Sequence, residues 1–193
     1  MKNNFLPFIK NCLNESAKIK LETAKKLNQE IAKAVELTIN TYKKGNKVLL
    51  CGNGGSAADC QHIAAELVGR FKKERKALPA IALTTDTSIL TSISNDYSYD
   101  LLFNRQIKAL GKKGDLLLAL STSGNSINII RAVELAKSLK IKTIGLLGGN
   151  GGKLKEIVDL AIVVPAESSD RIQEVHITIG HIICDLVEQK LFP

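Results

Sequence analysis

Hydrophobic positions along this chain follow two patterns, one typical of helices and one typical of buried strands. In residues 2–44 apolar side chains recur at helical spacing, as at Leu27, Ile31 and Val35, which predicts one or two helices ending at Gly45. Beyond Gly45 the helical spacing gives way to short apolar runs. These runs predict five strands, at residues 47–51, 80–84, 115–120, 142–147 and 161–164.

Helical patterns follow three of these strands. They extend from the glycine-rich residues 52–56 to about Arg70, from residues 121–126 to about Leu139, and from Asp170 to Lys190. Strands that alternate with helices predict an α/β fold, with a five-stranded parallel, flavodoxin-like sheet covered by helices on both faces. A length of 193 residues fits a single domain, 1–193, in which the helical segment 1–44 is available for contacts between subunits.

Composition narrows the class of protein. Apolar residues make up 45% of the chain, too many for a disordered protein, and no apolar run is long enough to span a bilayer. The first apolar stretch is too short and too interrupted for a signal peptide, so a cytoplasmic protein without a membrane partner is expected. The four cysteines have no metal-binding spacing and are expected to be isolated, reduced and mostly buried: Cys12, Cys51, Cys60 and Cys184.

The net charge of +8 has its densest basic stretch at residues 70–76. This stretch fits a solvated helix end better than a nucleic-acid patch. The chain has no Trp, and its aromatic content of 4% argues against platforms for base stacking. We therefore expect no nucleic-acid partner, whereas a positive field also suits a small anionic substrate.

Two small, polar loops follow the first and third predicted strands. Residues 121–126 read Ser-Thr-Ser-Gly-Asn-Ser before a helix start, where hydroxyls and free backbone N–H groups attract anions. An ordinary helix cap is the alternative, but four hydroxyls in six residues favour phosphate binding. Residues 52–56, Gly-Asn-Gly-Gly-Ser, allow close backbone approach. No Walker or dinucleotide motif occurs, so the phosphate is expected on a small substrate at the point where the strand order reverses.

Two helices carry residues that suit acid–base or metal chemistry. His62 and Glu66 are four residues apart on one helix face, and Gln173 and His181 are eight apart on one stripe of the last helix. His176 lies off that stripe and is interpreted as structural or supporting. This donor set suits zinc better than magnesium, although the spacing alone leaves a surface His–Glu pair equally open.

Four strings give the chain a recognisable likeness. They are VLLCGNGGSAADCQHIAAELVGRF, LSTSGNS, the SNDY of residues 94–97, and DRIQEVHITIGHI. Together they resemble the bacterial phosphoheptose isomerases of the sugar-isomerase (SIS) superfamily over essentially the whole chain. LSTSGNS alone indicates only the superfamily, and the two pairs His62/Glu66 and Gln173/His181 narrow it to this family.

The resemblance implies an activity and an assembly. The activity is conversion of sedoheptulose 7-phosphate to D-glycero-D-manno-heptose 7-phosphate, the first step towards ADP- or GDP-heptose for lipopolysaccharide or capsule. The assembly is a homotetramer with sites between subunits, and the implied cofactor is one zinc per subunit. A ketose becomes an aldose through an enediol, which needs a base, an acid and stabilisation of an oxyanion.

The resemblance also implies roles for individual residues. The implied phosphate ligands are Ser56, Ser121, Thr122, Ser123 and Ser126. The implied sugar contacts are Asn53, Gly54, Gly55, Asn95, Asp96 and Asp170, with Glu66 and Gln173. The implied zinc ligands are His62, Glu66, Gln173 and His181, of which Glu66 and His181 also form the proton-transfer pair. Because a carboxylate tightly bound to zinc is a poor base, Glu66 must loosen or share its two oxygens.

Other functions remain open at the level of sequence. SIS folds also serve as non-catalytic sugar-phosphate sensors, and a tetrameric relative of this family binds a replication-initiator protein. Neither role needs an acid–base pair, so the presence of Glu66 and His181 favours an enzyme. An enzyme acting on aminosugar phosphates is a third alternative, although such enzymes normally have a longer chain.

Overall fold

The computed structural model describes residues 5–193 and confirms the predicted α/β class. Residues 1–4, which belong to the predicted N-terminal helical segment, lie outside the described residues. The strands are β1 (Val48–Gly52), β2 (Ala80–Ala82), β3 (Leu116–Ser121), β4 (Lys142–Leu147) and β5 (Leu160–Val163). The helices are α1 (Leu6–Lys26), α2 (Asn28–Lys43), α3 (Gly55–Val68), α4 (Thr87–Asp96), α5 (Leu102–Leu110), α6 (Ile127–Ser138), α7 (Leu154–Ile157) and α8 (Ser169–Leu191), with a 3-10 turn at Tyr99–Leu101.

All five strands are parallel and pair in the order β2-β1-β3-β4-β5. This is the flavodoxin-like order, in which the chain winds outwards in both directions from β1 and β3. The last residue of β1, Gly52, is paired with Leu120 of β3. The loops after β1 and β3 therefore flank the crevice at the carboxyl ends of the strands.

Two apolar layers cover the sheet because successive strand residues point to opposite faces. Val48 and Leu50 of β1 pack with α2, α3 and α8, whereas Leu49 and Cys51 pack with α4, α5, α6 and α7. Strands β1 and β3 are buried along their whole length. Near-continuous apolar runs of this kind are typical of a parallel sheet with helices on both faces.

Three helices were not predicted from the sequence: α4, α5 and α7. Helix α4 is rich in Ser, Thr and Ile, which have low helix propensity. It begins at a cap in which the Asp86 carboxylate accepts the Ile89 N–H at 2.9 Å. Its buried residue, Ile93, packs with α5 against one face of the sheet. Burial of this side chain therefore outweighs the low helix propensity of the segment.

The N-terminal helices differ in how much apolar surface they bury. Helix α2 buries Ile31, Ala34 and Val35 against the core, whereas Thr23 is the buried residue of α1. Large apolar side chains stay exposed at the N-cap residue Phe5 and along α1 at Leu6, Phe8, Ile9, Leu13 and Leu21. No helix within residues 5–193 is long and apolar enough to cross a membrane.

Candidate active site

The serine-rich loop joins β3 to α6 and is held in shape by its own hydroxyls. Ser121 accepts the Gly124 N–H at 3.1 Å and shares a hydrogen bond with Ser126 at 3.2 Å. The Ser123 hydroxyl is exposed and accepts the Asn125 N–H at 3.2 Å. Ser126 stands at the N-cap of α6, but its side chain makes no capping hydrogen bond. Backbone N–H groups at this helix start are therefore available to an anion.

Gly124 permits the sharp turn of this loop. Its φ is +66°, and a Cβ there would overlap the backbone of Gly151. The Gly124 carbonyl accepts the N–H of Leu154, and the Asn125 side chain accepts that of Lys153 at 3.0 Å. The glycine-rich residues 148–152 after β4 thus pack against the serine-rich loop and hold its conformation.

The glycine-rich loop after β1 is also anchored by side chains. The amides of Asn53 and Asn128 exchange two hydrogen bonds, at 3.0 and 2.9 Å. The Tyr99 hydroxyl donates to the same Asn53 oxygen at 2.9 Å. Neither Tyr99 nor Asn128 was predicted as a site residue, because no motif marks their approach to Asn53 in the fold.

Three helix starts meet around these two loops. Helices α3, α6 and α8 all begin without a side-chain cap. The Thr122 hydroxyl shares a hydrogen bond of 3.2 Å with Ser169, the first residue of α8. Ser56 is buried in the first turn of α3, and Asp170 is exposed in the first turn of α8. A hydrogen bond from Ser168 and the Arg171 backbone lower the pKa of Asp170.

A cavity of about 280 Å³ opens beside the glycine-rich loop. It is lined by residues of that loop, by Thr84, by one face of α4 and by Phe103, and is open to solvent. Asn95 and Asp96 end α4 and are exposed, and the Asn95 amide donates to Asp96 at 2.8 Å. These two predicted sugar contacts therefore lie at the end of the helix that forms one wall of the cavity.

Three of the four predicted metal ligands form one cluster. His62 Nε2 lies 3.0 Å from Glu66 Oε1 and 3.2 Å from His181 Nε2, and His181 Nε2 lies 3.4 Å from Glu66 Oε1. Both imidazoles are partly open to solvent, with 55% of the His62 side chain and 40% of the His181 side chain exposed. The three atoms converge on one point, as the ligands of a single ion would.

Close packing of two helices produces this cluster. Helices α3 and α8 run side by side in the same direction, and a Cβ at Gly180 would meet Ile63 at 2.6 Å. The absence of that Cβ brings the neighbouring His181 to His62. The spacing of His62 and Glu66 along α3 predicted that pair. The contact between His62 and His181 depends instead on how closely α3 and α8 approach each other at Gly180.

The fourth predicted ligand, Gln173, lies at the other end of the same helix pair. A Cβ at Gly55 would meet its side-chain oxygen at 2.5 Å, so Gln173 packs on the start of α3. Eight residues of α8 separate Gln173 from His181, about 12 Å along the axis. Within one chain Gln173 therefore borders the loops, while His62 and His181 lie about two turns further along α3 and α8.

Two further side chains adjoin the His62/Glu66/His181 cluster and were not predicted. Burial raises the pKa of Asp59, and His62 and His181 act in the opposite direction. Burial also raises the pKa of the Cys184 thiol, and the nearby Glu66 carboxylate adds to this shift. Within residues 5–193 Oδ2 of Asp59 and Oε2 of Glu66 are buried without a hydrogen-bond partner.

His176 is structural, in agreement with its position off the Gln173–His181 stripe. It is fully buried, and its Nε2–H donates to the Leu147 carbonyl at 3.1 Å. Burial lowers its pKa to about 4, with the Leu147 hydrogen bond acting against this shift. A neutral imidazole therefore fastens α8 to the end of β4.

Comparison with known proteins agrees with this geometry. A family model described as SIS domain matches residues 13–148. The phosphoheptose isomerase of Clostridium acetobutylicum is 55% identical over 192 residues, covering 100% of this chain and 97% of the relative. The structure of the phosphoheptose isomerase from Neisseria gonorrhoeae superposes with a TM-score of 0.92 at 42% identity, covering 96% of this chain and 100% of that one.

The phosphoheptose isomerase structure from Francisella tularensis gives a TM-score of 0.93 at 40% identity, over 96% of this chain and 99% of that one. The match to the SIS-domain model assigns this parallel sheet, with the serine-rich loop at its switch point, to the SIS class. Within that class the chain belongs to the phosphoheptose isomerase family and is an aldose–ketose isomerase.

Proposed function

We propose that this enzyme converts sedoheptulose 7-phosphate to D-glycero-D-manno-heptose 7-phosphate. The observation that carries the proposal is the pairing of two features on the same helices. Uncapped helix starts and the serine-rich loop lie at one end of α3 and α8, and the His62/Glu66/His181 cluster lies further along them. One feature suits a phosphate and the other suits proton transfer.

The distance between these features fits a phosphorylated sugar of this length. Seven residues of helix separate Gly55 from His62, about 10 Å of axial rise. An extended seven-carbon chain with its phosphate also spans on the order of 10 Å. A substrate whose phosphate is bound by Ser56, Ser121, Thr122, Ser123 and Ser126 can therefore present C1 and C2 near the imidazoles.

Glu66 and His181 are the proposed proton-transfer pair. The carboxylate removes the proton from C1 of the open-chain ketose while His181 protonates the oxygen on C2, which gives the enediol. Return of a proton to C2, with loss of the proton on the C1 oxygen, gives the aldose. Oε1 of Glu66 faces both imidazoles and is the oxygen proposed to take the proton, whereas Oε2 is buried on the side of the Cys184 thiol.

Zinc is the proposed cofactor, and the residues present fit it. Two imidazole nitrogens and one carboxylate oxygen are preferred zinc ligands. Ligand distances of about 2.1 Å place tetrahedral ligand atoms about 3.4 Å apart, close to the 3.0–3.4 Å observed. His62, Glu66 and His181 would hold the ion. Gln173, the fourth expected ligand, lies about two turns away along α8 and joins this set in the proposal only if a neighbouring subunit supplies it. When bound, the ion would act as a Lewis acid towards the developing oxyanion.

We further propose a homotetramer that acts in the cytoplasm and supplies ADP- or GDP-heptose synthesis for lipopolysaccharide or capsule. The exposure of both imidazoles in one chain supports the homotetramer. Proton transfer from carbon benefits from a site that excludes water, and one chain alone leaves this site open. A neighbouring subunit could cover it. The exposed apolar side chains of α1 supply a surface for such association.

A substrate panel tests the proposed function. Purified enzyme is given sedoheptulose 7-phosphate, fructose 6-phosphate or N-acetylglucosamine 6-phosphate, and the aldose or ketose formed is identified by mass spectrometry and NMR. We expect turnover of the heptulose phosphate, and turnover about 10²–10⁴-fold slower by Glu66→Gln at the same concentration. Binding without turnover would favour a sugar-phosphate sensor, and turnover of the aminosugar phosphate alone would favour the third alternative.

A further inference from the structure

The basic stretch at residues 70–76 is not part of a helix, and some of its charged side chains form ion pairs within the chain. Helix α3 ends at Val68, and this stretch, which we call the strap, crosses to the last two turns of α8. Lys72 pairs with Asp185 at 2.6 Å, and Arg75 pairs with Glu188 at 3.1 Å. Part of the positive charge of this stretch is therefore paired within the chain.

Glu188 anchors the strap. Its carboxylate accepts the backbone N–H groups of Phe71, Lys72 and Lys73 at 3.0, 2.8 and 2.6 Å, and the Nε–H of Arg75. A carboxylate in the last turn of a helix opposes the helix dipole, and a buried one needs several donors. Glu188 is 1% exposed and has four of them. Burial raises its pKa, but the backbone and Arg75 donors outweigh this and lower the pKa to about 2.

Arg75 connects the strap to the helix that carries Glu66. The guanidinium donates to the carbonyls of Glu66 and Leu67 at 2.7 and 2.8 Å and to that of Gly69 at 3.2 Å. These carbonyls stand in the last turn of α3 or just after it, where no intrahelical partner is available. The Arg75 side chain is 2% exposed. The end of α3 is therefore fastened to α8 through Arg75 and Glu188.

The strap also places an aromatic ring on the proposed catalytic imidazole. The rings of Phe71 and His181 are stacked, with centroids 5.8 Å apart and an angle of 28° between planes. His62 contacts the His181 ring too, with centroids 5.2 Å apart. Within residues 5–193 neither imidazole has a hydrogen bond at Nδ1. Metal-bound histidines are commonly oriented by a hydrogen-bonded partner. For His181, stacking of the Phe71 ring takes the place of that partner.

We propose that Phe71 is a positioning residue that sets the rotamer of His181, and that Glu188 and Arg75 hold Phe71 in register. Phe71 does not contact the reacting atoms and acts through the imidazole. The kinetic part of this inference rests on the proposed function. Without the Phe71 ring the imidazole loses the contact on one of its faces and samples further rotamers, so a smaller fraction of the enzyme has His181 in reach of the substrate.

The test compares three variants. Phe71→Leu removes the ring, Phe71→Tyr retains it, and Glu74→Ala is the matched control, because that strap side chain is 91% exposed. We expect Phe71→Leu to lower kcat about threefold to tenfold, the scale of one aromatic contact, with KM and the melting temperature little changed. Phe71→Tyr should restore kcat, and Glu74→Ala should match the wild type.

A second readout does not depend on the substrate. Side-chain NMR of His181 reports its rotamer through three-bond couplings, and we expect one rotamer in the wild type and in Phe71→Tyr but several in Phe71→Leu. A wild-type rotamer in Phe71→Leu, or a kcat no lower than that of Glu74→Ala, overturns the inference. If the wild type does not turn over sedoheptulose 7-phosphate, the proposed function fails, and the NMR result alone decides the role of Phe71.

Discussion

Ser121 and Ser123 lie two residues apart in the serine-rich loop, yet their hydroxyls have different surroundings. Ser121 is buried and accepts the Gly124 N–H, so it shapes the loop as well as facing the helix start. Ser123 is exposed, and its hydroxyl can turn towards a ligand. A phosphate bound here would receive hydrogen bonds of the charge-assisted kind, which are about twice as strong as neutral ones.

Removing both hydroxyls tests the phosphate site. We expect Ser121→Ala combined with Ser123→Ala to raise KM for the sugar phosphate strongly, because each hydrogen bond to a charged group contributes about 1.5–3 kcal/mol. Steady-state kinetics measure the change. The control is Ser138→Ala, at the far end of α6, where the hydroxyl bonds only to the Leu135 carbonyl among residues 5–193. An unaltered KM in the double variant would remove the phosphate from this loop.

Sequence patterns predict which residues can share a helix face in the candidate site, but not how the helices bring them together. The spacing of His62 and Glu66 fixes their common helix face, and they are 3.0 Å apart as expected. The approach of His181 depends on helix packing at Gly180, and the approach of Phe71 depends on a buried carboxylate 117 residues away. Neither can be derived from local periodicity, because both arise from tertiary contacts.

At the level of elements, the buried strands and the long helix α8 were predictable. The predicted bounds of β4, residues 142–147, are those observed, Lys142–Leu147. A strand buried on both faces gives a nearly continuous apolar run, which makes its ends easy to recognise. Edge strand β2 is shorter than predicted, because the chain turns away after Ala82. Helices α4 and α5 were missed because burial of Ile93, Leu102, Phe103 and Ile107 on the sheet, rather than helix propensity, stabilises them.

The link between the strap and α8 predicts a pH dependence. The folded pKa of Glu188 is about 2, below the value of about 4.3 expected in an unfolded chain. The folded state thus binds fewer protons in this range, so the stabilisation by Glu188 is complete above about pH 5 and is lost as pH falls towards about 2. Glu188→Gln should unfold with a weaker pH dependence in this window.

At neutral pH the same variant should also be less stable. Glu188→Gln leaves the buried Arg75 guanidinium without its counter-ion, and removing one partner of a buried ion pair costs about 3–5 kcal/mol of unfolding free energy. Denaturant titrations at pH 7 and at acid pH measure both effects. Glu74→Gln, at an exposed position on the strap, should change neither. Equal acid sensitivity of wild type and Glu188→Gln would contradict the role of this carboxylate.

On the scale of the whole molecule, exposed large apolar side chains are concentrated on α1 among the described residues. Phe8 and Leu13 are 72% and 67% exposed, and a patch of such side chains marks an interaction surface. We expect a tetramer in light scattering at micromolar concentration and smaller species for Phe8→Glu combined with Leu13→Glu. Lys18→Glu, a charge change on the same helix, is the control. A monomeric wild type would contradict the assembly.

Assembly and catalysis are coupled in this account. His62 and His181 are half open to solvent in a single chain, and a neighbouring subunit would complete their enclosure. We therefore expect the α1 variant that dissociates the assembly to lose turnover as well, while the Lys18→Glu control retains it. Full activity in a dissociated form would mean that one chain contains the entire site.

The central claim is that Glu66 moves the proton in a heptose-phosphate isomerisation, and the kcat of Glu66→Gln on sedoheptulose 7-phosphate tests it most directly. The amide keeps the shape of the side chain but cannot accept the C1 proton. We predict that kcat falls by about 10²–10⁴-fold while KM and the melting temperature change little. Near-wild-type turnover by Glu66→Gln would contradict the account.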